Sequence, residues 1–248
     1  MIRHKLIGTV AYMGGTMSTP EAFTWSWGQL TRHTEAVICG PHEHIHLARS
    51  TVSLHDWGRN QILGDLRGDW LFMLDNDVAF EPDVCARLLA TANRYDLDVV
   101  TGIYSYKTAP HYPVLYLHNY DTQRNEVVAD WDRASEVFRV DSAGAGCLFV
   151  RRHVFQQITR ELKVNPFDRI GRKGEDHSFF ERLRELGIPA WCAWKIEVQH
   201  LAVTGIQTSV HFKPTREPDH FYQGEGFDRA GAAVKAPPQL GEKEQLAL

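Results

Sequence analysis

The apolar run Leu71-Phe72-Met73-Leu74, opened by Trp70, ends abruptly at Asp75-Asn76-Asp77. A short unbroken apolar run predicts a central strand buried on both faces. Upstream, residues 6–12 read as a first strand, Gly14 and Gly15 as a turn, and Ser18-Thr19-Pro20-Glu21 as a helix start. Residues 35–39 read as a second strand, and residues 45–66 as helical with a break near Trp57-Gly58. After the acidic strand end, Val84, Leu88, Ala92 and Tyr95 recur at helical spacing and predict a helix over 81–95. A strand over 98–104 follows. Strand and helix alternating in this way predict a mostly parallel α/β sheet across roughly the first 105 residues.

The pattern then changes. Residues 112–118 and 126–129 flank the turn residues Asn119, Asp121 and Asn125, which predicts an antiparallel hairpin in the C-terminal half. Strands are expected over 136–140 and 147–150, separated by Asp141-Ser142-Ala143-Gly144-Ala145-Gly146. Helices are expected over 153–162 and 175–186. Gly187 sits at the C′ position of the second, with Pro189 as a stop. On that second helix Phe179, Phe180, Leu183 and Leu186 are expected inside, and Glu181, Arg182, Arg184 and Glu185 outside. Residues 190–200 form the last strand region. The expected organisation is one catalytic-size domain over 1–235, with halves 1–105 and 106–235, and a disordered Pro-containing and charged tail over 236–248.

Composition narrows the class. With 43% hydrophobic and 23% charged residues, the 248-residue chain reads as soluble and globular. A net charge of −4 leaves no global footprint for nucleic acid or anionic membrane. No apolar run reaches the ~18 residues of a membrane helix. Cys39, Cys85, Cys147 and Cys192 are scattered without Cys-x-x-Cys spacing, as in reduced, mostly buried thiols of a cytoplasmic protein.

The candidate chemistry starts at the strand end. Asp75 and Asp77 cannot be buried unpaired without a large desolvation cost, and ligand sites of open α/β sheets lie outside the carboxyl ends of strands. Two acids there either cap a turn or form a hard-oxygen half-site for a divalent cation. His200, closing Ile196-Glu197-Val198-Gln199, is a candidate third ligand, and an imidazole tilts such a site from Mg²⁺ towards Mn²⁺. Asp75, Asp77 and His200 are therefore expected to converge. Glu175 and Asp176 open a helix, where the dipole favours the ionised form a base needs; ordinary first-turn acids would look the same. The small residues Gly144, Ala145 and Gly146 allow close approach of a ligand or form a tight turn. His42, His44 and His46 read as a surface loop, and Trp25, Trp27, Trp191 and Trp194 as packing residues before sugar platforms.

In order along the chain, Thr9-Val10-Ala11-Tyr12, Arg59-Asn60, Asp75-Asn76-Asp77, Asp141 through Gly146 leading into Cys147 to Arg152, Gly174-Glu175-Asp176 with Phe179, and His200 resemble the GT-A-fold nucleotide-sugar glycosyltransferases, family 2-like, of bacteria and phages. The resemblance covers residues 5–205. It implies a GT-A-like, Rossmann-like central sheet flanked by helices. It also implies transfer of a sugar from a nucleotide-diphosphate sugar, UDP favoured and GDP possible, to an acceptor hydroxyl, with inversion by direct displacement. It further implies Mn²⁺ or Mg²⁺ held by Asp77 and His200, with Asp75 on the metal or ribose. Thr9, Ala11, Tyr12, Arg59, Asn60 and Asn76 become nucleotide or donor contacts, and Gly144, Ala145 and Gly146 line the donor sugar or acceptor. Asp176 becomes the catalytic base, with Glu175 holding hydroxyls. The acceptor, whether glycan, lipid-linked sugar, protein or modified nucleobase, is left open. Two alternatives are a nucleotidyltransferase of related fold, disfavoured by the absence of a basic residue in Met13-Gly14-Gly15-Thr16-Met17, and a non-catalytic nucleotide-sugar-binding protein. Residues 202–226, with His211, Lys213 and Arg216, are a candidate lid.

Overall fold

The structure, a computed structural model, describes residues 5–14, 20–202 and the backbone of 205–206. The expected Ser18-Thr19 helix start, the Gly15 to Met17 turn, the remainder of the candidate lid and the tail lie outside the described residues. In chain order the elements are β1 (Lys5–Met13), α1 (Glu21–Ile38), β2 (Glu43–Arg49), α2 (His55–Gly64), β3 (Trp70–Asp75), β4 (Val78–Ala79), α3 (Val84–Arg94) and β5 (Val99–Ile103). There follow β6 (Leu115–Asn119), β7 (Arg124–Val127), β8 (Phe138–Val140), β9 (Ser142–Ala143), β10 (Cys147–Arg151), α4 (Arg152–Leu162), α5 (Glu175–Glu185), β11 (Ala190–Glu197), β12 (Gln199–Leu201) and β13 (Gly205–Ile206).

The main sheet has seven strands in the order β2-β1-β3-β10-β5-β11-β8. β1 pairs in parallel with β2 and β3, and β5 with β11, whereas β10 and β8 run against their neighbours. The central sheet is thus mostly parallel. Small antiparallel sheets, β13-β12-β4 and β7-β6-β9, flank it.

The period of two along each strand sorts the core onto two faces. Leu71 and Met73 of β3 pack with Ile62 of α2, Phe155 and Ile158 of α4, and Phe179 and Leu183 of α5. Trp70, Phe72 and Leu74 face the other way, towards Phe23 and Leu30 of α1 and Val84 and Leu88 of α3. Strand β3 is buried from Trp70 to Leu74, as its unbroken apolar run demands. The expected stripe on α3 is buried at Val84, Leu88 and Ala92. Tyr95 caps that helix and sends its hydroxyl to Glu136 (2.9 Å).

The structure corrects three readings. Residues 35–38 end α1 rather than forming a strand, and the second strand is β2, inside the stretch read as helical. His44 and His46 accordingly lie on a strand. They contact Glu35 (2.8 Å) and Asp65 (3.0 Å), so neither belongs to a histidine cluster. On α5, Arg182 is buried instead of exposed, and its guanidinium donates to the carbonyl of Pro166 (3.2 Å). The other end of α5 follows the sequence: Gly187 has φ +68° and its N–H returns to the carbonyl of Arg184. All four cysteines are free, and Cys85, Cys147 and Cys192 are buried.

Candidate active site

The chemistry gathers where β3 and β5 end and β10 begins. Arg59 organises it. This guanidinium reaches from α2 into the protein and is almost fully buried, which its charge permits only with partners. Nε donates to Glu175 Oε1 (3.1 Å), Nη2 to Asp75 Oδ1 (2.8 Å) and Nη1 to the carbonyl of Ala145 (3.3 Å). One side chain thereby ties α2, β3, the turn before β10 and the start of α5. Burial works against its charge, but Asp75, Glu175 and Asp176 outweigh that and hold it protonated.

The two acids of α5 diverge in consequence. Burial pushes the Glu175 carboxyl up, and the Arg59 guanidinium brings it below its usual range. Asp176 is pushed up, first by burial and then by the like charge of Glu175; His177 and Arg59 only partly offset this. The helix dipole expected to favour its ionised form is thus outweighed. Its Oδ1 accepts the backbone N–H of His177 (2.7 Å). Gly174 makes room for that carboxylate, since a Cβ there would lie 2.7 Å from Asp176 Oδ1.

Asp77 and His200 are brought together across 123 residues of sequence. β12 pairs with β4, aligning His200 with Val78, and His200 Nε2 lies 3.4 Å from Asp77 Oδ2. The other ring nitrogen, Nδ1, donates to the carbonyl of Ser105 (2.8 Å). With Nδ1 donating to Ser105, Nε2 is the ring atom turned to Asp77, and it is the one that would offer its lone pair to an ion, as in a ligating histidine. The 3.4 Å gap lies within the span of two ligands each ~2.0–2.2 Å from one ion. Lys107 places an ammonium 2.6 Å from the same Asp77 oxygen, so positive charge is accommodated there. Burial raises the Asp77 carboxyl, but His200 and Lys107 overcome that and hold it well below the usual range. These residues fit a divalent cation.

The expected convergence is incomplete, because Asp75 turns to Arg59. Among the described residues no group of three His, Cys, Asp or Glu side chains is placed to hold a metal. Other expected contacts are also placed differently. Thr9 is buried, and its hydroxyl donates to the Arg67 carbonyl while accepting the Arg67 N–H (both 2.8 Å). Ala11 is fully buried in the core. Asn60 donates to Asp168 Oδ1 (2.9 Å) and accepts the N–H of Phe167 (3.1 Å), bracing the loop before α5. The polar groups of Thr9 and Asn60 are therefore spent on the protein, as are those of Arg59. Tyr12 packs its ring against Phe23 and Trp27, with centroids 5.1 and 4.7 Å apart. Asn76 donates to the carbonyl of Gly14 (3.4 Å).

The small-residue turn serves Tyr104 before any ligand. A Cβ on Gly144 would stand 2.0 Å from the Tyr104 hydroxyl oxygen, and one on Gly146 would stand 3.0 Å from both that oxygen and Asp75 Oδ2. The Gly146 N–H donates to the Tyr104 hydroxyl (3.1 Å). Tyr104 also meets the His200 ring edge to face, centroids 5.4 Å apart, which links the cation pair to the Asp75–Arg59 network. Ala145 is buried and contributes its carbonyl to Arg59.

Sequence reasoning missed Lys107, Tyr104, Ser142 and His177. Ser142 and His177 join through the serine hydroxyl and Nδ1 (2.8 Å), and the imidazole lies on Tyr116, centroids 4.7 Å apart. The adjacency of His177 to Asp176 was the available signal. Ser142 lies within the Asp141 to Gly146 motif without being singled out, and nothing in the order of residues marks Lys107 or Tyr104.

Fold and site together define an α/β protein with its acids gathered at one sheet edge. Residues 33–158, just over half of the chain, match glycosyl transferase family 2, and the chain belongs to that family. The matched span includes Arg59, Asp75, Asp77 and Lys107 and ends before Asp176 and His200. Membership of that family implies a nucleotide-sugar donor. The fold is also similar to the crystal structure of A197 from STIV, at 21% identity and a TM-score of 0.54 over 87% of this chain and 96% of that one. At that identity the likeness speaks for fold alone. No curated protein matches the sequence. Among the described residues no helix is long and apolar enough to cross a membrane.

Proposed function

We propose that this glycosyltransferase moves a sugar from a nucleotide-diphosphate sugar, with UDP favoured and GDP possible, to an acceptor hydroxyl, with inversion and with Asp176 as general base. The observation that carries this reading is the environment of Asp176. It is a half-buried carboxyl beside Glu175, on the edge where Arg59 also gathers Asp75. A carboxylate must be ionised to accept a proton, and one with raised proton affinity accepts it from a hydroxyl more readily. Glu175, held ionised by Arg59, keeps a second negative charge beside it and thereby sustains that basicity.

Asp77 and His200 are the residues that would hold Mn²⁺ or Mg²⁺. Such an ion, when bound, supplies positive charge that stabilises a leaving diphosphate as a Lewis acid. Asp75 Oδ1 is committed to Arg59, so Asp75 would reach such an ion only through its other oxygen or through water. Arg59 sets the register of Asp75 and Glu175, and Tyr104 with the Gly146 N–H fixes the turn beside them.

The test is Asp176→Asn. It removes the proton acceptor at constant size. Transfer should fall by ~10²–10⁴ while nucleoside diphosphate binding in Mn²⁺ stays within a few-fold of wild type. Near-normal turnover in this variant would move the base elsewhere.

A further inference from the structure

Lys107 approaches Asp77 more closely than His200 does, yet the transfer step above makes no use of it. It rides on the hairpin that follows β5. The arms of that hairpin are joined from Tyr106 N–H to the Tyr112 carbonyl (2.9 Å), from Val114 N–H to the Tyr104 carbonyl (2.9 Å), and by a bridge pairing Ser105 with Pro113. The backbone of this arm is therefore placed firmly, while the lysine stem has four flexible carbons and a partly exposed head. Its ammonium contacts Asp77 Oδ2 at 2.6 Å, the same oxygen that faces His200 Nε2 at 3.4 Å.

That oxygen cannot serve two cations at close range. A divalent ion held by Asp77 and His200 would take the place of the ammonium and would be repelled by it if it stayed. With Lys107 in position the Asp77 charge is neutralised, and hard-cation affinity depends on the ligand charge left available. A diphosphate offers the ammonium a stronger partner than a single carboxylate, because several charged oxygens can accept its three N–H donors. A diphosphate bound beside Asp77 would therefore give the ammonium a second place to go.

We propose that Lys107 is a built-in counter-ion of the cation seat, leaving Asp77 for the diphosphate of the donor and so making divalent cation and nucleotide bind cooperatively. The inference rests on reading Asp77 and His200 as the cation's ligands. Binding linkage is reciprocal, so whatever nucleotide does for Mn²⁺ affinity, Mn²⁺ does equally for nucleotide affinity.

The experiment titrates Mn²⁺ alone, followed by the paramagnetic resonance of the free ion, into wild type, Lys107→Met and Lys107→Gln. Each titration is repeated with uridine or guanosine diphosphate present, and thermal unfolding confirms that each variant is folded. Mn²⁺ alone should bind at least tenfold more tightly to either neutral variant than to wild type, and the strengthening by nucleoside diphosphate should shrink several-fold. Equal Mn²⁺ affinities in wild type and a folded neutral variant, or undiminished strengthening by nucleotide, would overturn the role of Lys107. Asp77→Asn separates the underlying reading. If Mn²⁺ binding in the presence of nucleotide is unchanged in that variant, the cation is not held by Asp77 and both claims fall. If it is lost there but Lys107→Met is silent, only the Lys107 claim falls.

Discussion

Arg59 holds three elements by three hydrogen bonds, and two of its partners are carboxylates with little water. Replacing it with Met leaves Glu175 and Asp75 beside each other uncompensated. Breaking a buried pair from one side costs ~3–5 kcal/mol, and a domain of this size loses roughly 2–4 °C of Tm per kcal/mol. Asp75 is the more exposed partner and regains some hydration, which places the loss near the lower end. Arg59→Lys keeps the charge but not the three-way fork, so thermal unfolding should find it between Met and wild type. Asp176 behaves oppositely. Its folded proton affinity exceeds its unfolded one, so ionisation at neutral pH costs the folded state stability. That cost is full above the raised folded pKa and vanishes as pH falls through it towards the unfolded value. Asp176→Asn should therefore raise Tm at neutral pH by about 2–4 °C, with the gain shrinking in acid, while transfer is lost. A melting profile against pH checks this, and a Tm that falls at neutral pH contradicts it. The acid limb of kcat/KM should likewise lie above the ordinary aspartate value of 3.8.

At the scale of elements, sequence legibility depended on which force placed each segment. β3, β5 and β10 are buried on both faces and could be read from unbroken apolar runs. The end of α1 could not. Glu35-Ala36-Val37-Ile38 is β-branched enough to suggest a strand, but Phe23, Leu30 and Thr34 continue one helical face into it, and packing on the sheet wins over local propensity. β2 was missed for a related reason: as an edge strand it alternates His44 and His46 with buried Ile45 and partly exposed Leu47, which dilutes its apolar signal. The turn before β10 shows a different limit. Its glycines were visible, but their purpose, accommodating Tyr104 from the end of β5, depends on β5 and β10 being neighbours. Gly144→Ala puts a methyl 2.0 Å from the Tyr104 hydroxyl and 2.9 Å from Val114. Overpacking of that kind costs typically ~1–3 kcal/mol. Denaturant unfolding should show that loss, and adding Tyr104→Phe should recover part of it by removing the nearest atom. Strictly additive losses in that cycle would show that the two do not collide.

Across the whole molecule, the crossing of β10 between β3 and β5 sets one carboxyl edge on which acids from distant stretches meet. The sequence marked Asp75 and Asp77 because two carboxylates ending an apolar strand either cap a turn or await a partner, and it marked Glu175-Asp176 by their place at a helix start. It could not show that Asp75 would be claimed by Arg59, nor that Lys107 would come to Asp77, because both depend on which loops the sheet order brings side by side. Thr9, Ala11 and Asn60 are ligand contacts only by resemblance, and the order of residues did not show that their side chains pair with Arg67, pack in the core and brace the loop before α5. The central claim is that nucleotide diphosphate and divalent cation share the edge holding Asp77, His200 and Asp176. Crystals grown with Mn²⁺ and uridine or guanosine diphosphate, measured at the manganese absorption edge, test it most directly. The account predicts an anomalous peak within ~2.0–2.6 Å of the Asp77 carboxylate and His200 Nε2, with the diphosphate beside it and Lys107 turned from Asp77 towards the phosphates. A manganese peak away from both residues, or a nucleotide seated on another face of the sheet, would contradict it.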